Sequence, residues 1–235
     1  MTGREEVPIR VRGLNHWFGV GEAAKQALYD IDLEIGRGTL TVLMGASGSG
    51  KTTLLTLIGC LRHVQDGNIQ LLGRELAGAE EAELVRMRQR VGFIFQAHNL
   101  HDSLTAMQNC RMGLEVHGPA AMRFWQEACA ELLTLLGLGE RLDYLPGNLS
   151  GGQKQRVAVA RALIGNPDIV FADEPTAALD RETGLQVVRM LKALGQARGT
   201  TTLMVTHDTR IMDLADRILT LEDGRLVGDE WTVTP

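Results

Sequence analysis

The stretch Gly45-Ala46-Ser47-Gly48-Ser49-Gly50-Lys51-Thr52 constrains this chain more than any other feature. It fits GxxxxGK[ST] and lies between the short apolar run 40–44 and the segment 51–61, which reads as a helix. A strand, a Gly-rich turn and a helix start in succession make a phosphate-binding loop. The glycines let the backbone curl so that successive N–H groups point inward at phosphate oxygens, and the helix adds its positive end. Lys51 is then placed to reach the β- and γ-phosphates and the Thr52 hydroxyl to ligate Mg²⁺. With Thr53 in the same helical turn, residues 45–53 are the candidate nucleotide-binding run.

The rest of the chain supplies the surroundings such a loop needs. Residues 7–14 and 28–35 alternate apolar and polar side chains and read as half-buried strands of an N-terminal antiparallel β-subdomain. Strands are also expected at 69–72, 91–95, 169–172, 201–205 and 218–221, with a charged helix at 80–90. Asp223-Gly224 reads as the tight turn of a terminal hairpin. Between about 97 and 159 the pattern turns helical, and Phe124, Ala128, Leu132, Leu135 and Leu136 recur at helical spacing. A length of 235 residues suits one three-layer α/β domain. The expected organisation is a single domain over 1–235, with a P-loop NTPase core of 1–96 and 160–235 interrupted by a helical subdomain.

Two further constellations carry chemistry. The apolar strand 169–172 runs straight into Asp173-Glu174, which places both acids at the carboxyl edge of the sheet, where open α/β folds bind ligands. A lone acidic pair is usually solvated surface. Beside a P-loop, Asp173 suits a Mg²⁺ site and Glu174 suits polarising a water. The second is Leu149-Ser150-Gly151-Gly152-Gln153, ahead of an Ala- and Val-rich helix. Ser150 is a good N-cap, and the glycines leave backbone N–H groups uncovered. Read alone it is a helix cap. One bound nucleotide needs one cradle, so a second anion site implies the nucleotide of another copy and a closed two-fold pair.

Composition narrows the partners. The net charge of −5 argues against a general nucleic-acid binder. Cys60, Cys110 and Cys129 are widely spaced, fit no metal or disulfide pattern and read as small core residues of a reducing compartment. His98 and His101 fit HxxH, but a loop pair without a third ligand is rarely a metal site. The start lacks the apolar region of a signal peptide. Its apolar runs fall short of the ~20 residues that span a bilayer, so any membrane span is expected from other chains.

Residues 45–52, Gln96, Leu149 to Gln153, Asp173-Glu174, Ala178-Leu179-Asp180 and His207 stand in the order seen in ABC transporter ATPases, and the chain resembles that family over nearly its whole length. The resemblance implies ATP and Mg²⁺ as ligands and assigns further roles. Gln96 would sense Mg²⁺ and the attacking water. Ser150, Gly151, Gly152 and Gln153 would close on the ATP of a second copy in a head-to-tail dimer. Asp180 would communicate between sites, and His207 would contact the γ-phosphate and hold Glu174. Phe18, with Trp17 as its rival, would stack on adenine.

Gln96-Ala97-His98-Asn99-Leu100, Leu104-Thr105 and Asn109 further resemble the ATPases of macrolide- and lipoprotein-exporter systems. Asn15-His16-Trp17-Phe18-Gly19 with segments 53–59 and 93–104 is most similar to the heterocyst-glycolipid exporter ATPase, the DevA family. That resemblance implies transmembrane permease subunits, a periplasmic adaptor and a peripheral place on the cytoplasmic face of the inner membrane. An ABC ATPase that signals to cell-wall hydrolases is the alternative within the fold. ABC ATPases of translation or DNA repair usually carry two cassettes or a long coiled-coil insertion, and a P-loop kinase would need neither the Ser-Gly-Gly segment nor Glu174.

Overall fold

The computed structural model describes residues 7–177 and 179–232, so the first six residues and Ala178, both used above, lie outside the described residues. Strand β1 (Ile9–Phe18) pairs antiparallel with β2 (Lys25–Ile35) and β4 (Asp66–Leu71), and β4 pairs with the short β5 (Arg74–Glu75). The second sheet holds β3 (Leu40–Met44), β6 (Val91–Ile94), β7 (Ile169–Asp173), β8 (Thr201–Val205) and β9 (Arg217–Glu222). These five run parallel in the order β9-β3-β8-β7-β6, and β10 (Arg225–Trp231) joins antiparallel beside β9. The helices are α1 (Lys51–Ile58), α2 (Glu81–Arg88), α3 (Ala106–Glu115), α4 (Trp125–Leu135), α5 (Gly151–Leu163) and α6 (Arg181–Arg198).

The parallel strands are apolar almost throughout because both of their faces are covered. In β7, Ile169 and Phe171 pack with α1 and the antiparallel sheet, whereas Val170 and Ala172 pack with α3, α4, α5 and α6. The period of two therefore divides one strand between two cores. Cys60 belongs to the first core, Cys110 and Cys129 to the second, and all three are buried free thiols. Asp223 and Gly224 take φ of 44° and 77°, as a two-residue hairpin turn joining right-twisted strands requires.

Two expectations need correction. Strand β1 continues to Phe18, beyond the expected 7–14, because past Leu14 its buried position is filled by His16, a polar residue, while the apolar Phe18 is partly exposed, so the alternation is hidden in the sequence. In α4 the buried face is Cys129, Leu132, Leu133 and Leu136, while Phe124 and Leu135 are 65% and 63% exposed. Consecutive leucines allowed two helical stripes, and packing against α3 and α5 selected the one without Leu135. No helix among the described residues is long and apolar enough to cross a membrane.

Helices α3 and α5 pack closely at Gly113, where an added Cβ would lie 2.1 Å from the carbonyl oxygen of Arg161. On an isolated helix Gly→Ala would stabilise by about 1 kcal/mol. Here the contact is with backbone and overpacking dominates, typically about 1–3 kcal/mol. Gly113→Ala is expected to lower the melting temperature, measured by circular dichroism.

Candidate active site

An open cleft of about 870 Å³ lies at the carboxyl ends of the parallel strands. Its floor is the loop 45–50. Gly45 and Gly50 have φ of 151° and 103°, and added Cβ atoms there would lie 2.1 Å from Leu221 O and 2.9 Å from Ala27 O. Only glycine fits a backbone pressed this tightly between β9 and β2. The Gly224 N–H donates to Ser49 O at 3.0 Å, and Gly224 O accepts from the Tyr29 N–H at 2.8 Å, so the terminal hairpin braces the loop.

Helix α1 begins at Lys51 behind a left-handed Gly50, with no side chain capping it. Its first-turn N–H groups, unpaired within the helix, are the donors an anion needs. The Lys51 ammonium donates to the carbonyls of Gly45 (2.9 Å) and Ala46 (2.8 Å), which holds it over the loop and leaves one of its three N–H bonds. Ser49 is placed differently from its neighbours. It is buried, its hydroxyl has no partner, and its N–H donates to Ala46 O at 3.2 Å.

The acidic side of the cleft comes from neighbouring strand ends. Thr52 Oγ1 donates to Asp173 Oδ2 at 3.1 Å, bringing together the hydroxyl and carboxylate expected of a Mg²⁺ site. Burial pushes the Asp173 carboxyl above its ordinary pKa, and Glu174 adds to this, while Thr52 and Lys51 pull the other way. Glu174 has φ of 50°, a costly conformation outside glycine, which turns its side chain away from the line of β7. His207, after β8, places Nδ1 2.9 Å from Glu174 Oε1 and 2.8 Å from Oε2. An ionised carboxylate can only accept, so Nδ1 carries the hydrogen of this contact. Gln96, beyond β6, also lines the cleft.

Among the other expected residues, Phe18 lines the cleft and Trp17 does not. Ser150, Gly151, Gly152, Gln153 and Asp180 are not brought to it. Ser150 and Gln153 form a reciprocal cap, with Ser150 N–H donating to Gln153 Oε1 at 3.0 Å and Gln153 N–H to Ser150 Oγ at 3.3 Å. Gly151 is exposed at the helix start. Asp180 caps α6 by accepting from the N–H groups of Glu182 and Thr183, and its pKa is lowered first by the Thr183 hydroxyl and then by these backbone bonds. A Cβ on Gly152 would lie 2.4 Å from the Thr183 side chain, so the starts of α5 and α6 abut.

Sequence reasoning missed several contributors. Lys25, Gln26, Ala27, Tyr29, Asp223 and Gly224 line the cleft from β2 and the hairpin, remote in sequence from any motif. It also missed Arg161, whose guanidinium donates to Asn99 O (2.5 Å) and His98 O (2.7 Å). Those two residues are consecutive and left-handed, with φ of 49° and 60°, just beyond Gln96. The fully buried Asn109 fixes the next stretch through His101, Leu104 and Thr105.

A model of the family described as "ABC transporter" matches residues 28–177. The chain is 43% identical over 229 residues to macrolide export ATP-binding/permease protein MacB 1/2 of Paracoccus denitrificans, covering 97% of this chain and 34% of that protein. It is 40% identical over 222 residues to lipoprotein-releasing system ATP-binding protein LolD 1 of Caulobacter vibrioides, covering 94% of this chain and 95% of that one. The chain thus spans about a third of the length of the MacB relatives, 34% for the Paracoccus protein. The dimeric structure of MJ0796, a bacterial ABC transporter cassette, matches with a TM-score of 0.89 at 35% identity, covering 97% of this chain and 100% of that one. A dimeric post-hydrolysis state of MJ0796 bound to ADP and Pi matches at 0.87 and 34%, with the same coverage of 97% and 100%.

The raised pKa of Asp173 has a measurable sign. A carboxyl whose folded pKa is raised favours folding when protonated, and that contribution is lost as pH rises through the folded value. At neutral pH the ionised Asp173 therefore costs stability. Asp173→Asn is expected to raise the melting temperature at pH 7, with the gain shrinking as pH falls into the carboxylate range. Thermal melts across pH check this.

Proposed function

The chain belongs to the ABC transporter family, and we propose that it is the ATP-binding and ATP-hydrolysing subunit of an exporter, paired head-to-tail with a second copy beneath transmembrane permease subunits. The observation that carries this reading is the convergence in one cleft of an uncapped helix start, the Thr52–Asp173 pair and the Glu174–His207 pair. The triphosphate lies along residues 45–53, on loop and first-turn N–H groups other than that of Ser49, with Lys51 against its terminal phosphates, and adenine stacks on Phe18. Thr52, Asp173 and Gln96 are the hard oxygen donors that would hold Mg²⁺, a cation that takes few protein ligands alongside phosphate oxygens. Bound there, Mg²⁺ would neutralise charge building on the phosphoryl group.

Glu174 accepts the proton of a water as that water's oxygen bonds to the γ-phosphorus and the bond to ADP breaks. His207 keeps the Glu174 carboxylate oriented and contacts the γ-phosphate. Ser150, Gly151, Gly152 and Gln153 lie away from their own chain's cleft; Ser150 and Gln153 hold the helix start by their reciprocal cap, and the N–H groups of Gly151 and Gly152 serve the nucleotide of the partner copy. The dimeric MJ0796 cassettes support that arrangement. Asp180, against α5 through Thr183, relates the two sites. In this reading residues 97–159 form a helical subdomain within a core of 1–96 and 160–235, and the segment from 97 to about 111 receives a permease helix.

Likeness to proteins named for macrolide export and lipoprotein release supports a lipid-like or amphiphilic substrate; a periplasmic adaptor and a peripheral position at the cytoplasmic face of the inner membrane complete this reading.

Glu174→Gln is expected to cut turnover roughly 10²–10⁴-fold while sparing ATP binding, and to accumulate an ATP-bound dimer on gel filtration. Wild-type turnover in that variant overturns the base assignment. Lys51→Ala is expected to abolish ATP binding in calorimetry, and unchanged affinity removes Lys51 from the cradle. With its permease in vesicles, ATP-driven release of a lipid supports export; ATP turnover with no release points to signalling.

A further inference from the structure

We infer that Arg62 and Gln65, in the connection between α1 and β4, are positioning residues that hold Phe18 as a platform for the nucleotide base. The inference rests on the reading of Phe18 as the residue on which adenine stacks. Strand β1 pairs with β4 only as far as Asn15 opposite Asp66, so the last residues of β1 have no strand on that side. Their backbone groups still require partners. At Trp17 both are met by one side chain: Gln65 Oε1 accepts from the Trp17 N–H at 2.8 Å, and Gln65 Nε2 donates to Trp17 O at 3.1 Å. A primary amide carries acceptor and donor side by side, as a peptide group does, so Gln65 stands in for the missing rung of the ladder. It pins the backbone one residue before Phe18.

The ring is held as well. Arg62 Cζ lies 5.0 Å from the Phe18 ring centroid, a cation–π distance. His16, on the same face of the strand, meets Phe18 edge-on with ring centroids 5.0 Å apart. Phe18 lines the cleft and is 40% exposed, whereas Arg62 is not part of the lining. The guanidinium therefore backs the ring and leaves the cleft side for a base. Arg62 Nε donates to Thr56 Oγ1 at 3.2 Å, and Thr56 Oγ1 donates to Thr53 O at 3.0 Å. Thr53 sits in the helical turn that cradles phosphate, so one short relay ties the base platform to the phosphate site and fixes their separation.

The test is a double-mutant cycle read by calorimetry on the intact chain, with ATP and inorganic tripolyphosphate as probes. Both side chains are exposed, so their replacement spares the core. Gln65→Ala and Arg62→Ala are each expected to weaken ATP about three- to ten-fold, to leave tripolyphosphate unchanged, and to lose their effect in a Phe18→Ala background. Arg62→Lys is expected to recover most of the loss, and turnover at saturating ATP to stay at the wild-type value while KM rises. Equal weakening of tripolyphosphate, or an ATP effect undiminished by Phe18→Ala, overturns the inference. If Phe18→Ala weakens ATP but the other two variants do not, the inference alone fails. If Phe18→Ala leaves ATP affinity unchanged, the stacking reading fails and the inference with it.

Discussion

The loop 45–50 can exist in this shape only because three pieces of backbone close around it. Gly45 touches β9 at Leu221, Gly50 touches β2 at Ala27, and the Gly224 peptide bridges Ser49 to Tyr29. Side chains at those glycines would force the strands apart and undo the shape of the loop. The antiparallel sheet and the C-terminal hairpin are therefore parts of the proposed phosphate site, although neither carries a recognisable motif. Fold stability and ligand geometry share the same contacts.

Strand order does the remaining assembly. Because β3, β8, β7 and β6 are neighbours, the groups following their carboxyl ends lie side by side: the loop, His207, Asp173 with Glu174, and Gln96. Residues far apart in sequence become a single surface with no side chain needing an unusual reach. The arrangement has a cost, visible in the left-handed backbone of Glu174 and in the Asp173 carboxyl, whose pKa burial raises. Both departures from ordinary preference occur where the proposed chemistry takes place.

How much of this was legible depended on whether the signal was local. Apolar runs bounded by Gly or acids located β3, β7 and β8, because strands buried on both faces must be continuously apolar. The P-loop and the acidic pair were legible because their chemistry requires particular residues at fixed spacing. The full length of β1 was hidden, since past Leu14 its inward position is the polar His16 and the apolar Phe18 is partly exposed. The buried face of α4 was misread because adjacent leucines satisfy two stripes equally well. The contributions of Tyr29, Gly224 and Arg161 could not be read at all, for they arise from contacts between segments remote in the chain and leave no periodic trace.

Arg161 gives the architecture a mechanical property. Its guanidinium grips the two carbonyls just past Gln96, and it stands near the far end of the helix whose first turn follows Ser150. Eleven helical residues span about 16 Å, and an α-helix of this length behaves as a stiff rod. A stiff rod that turns about any point other than Arg161 carries that guanidinium with it, and so either moves the two carbonyls beyond Gln96 or gives up both bonds. The helix start at Ser150 and the loop beyond Gln96 are thus two ends of one rigid connection.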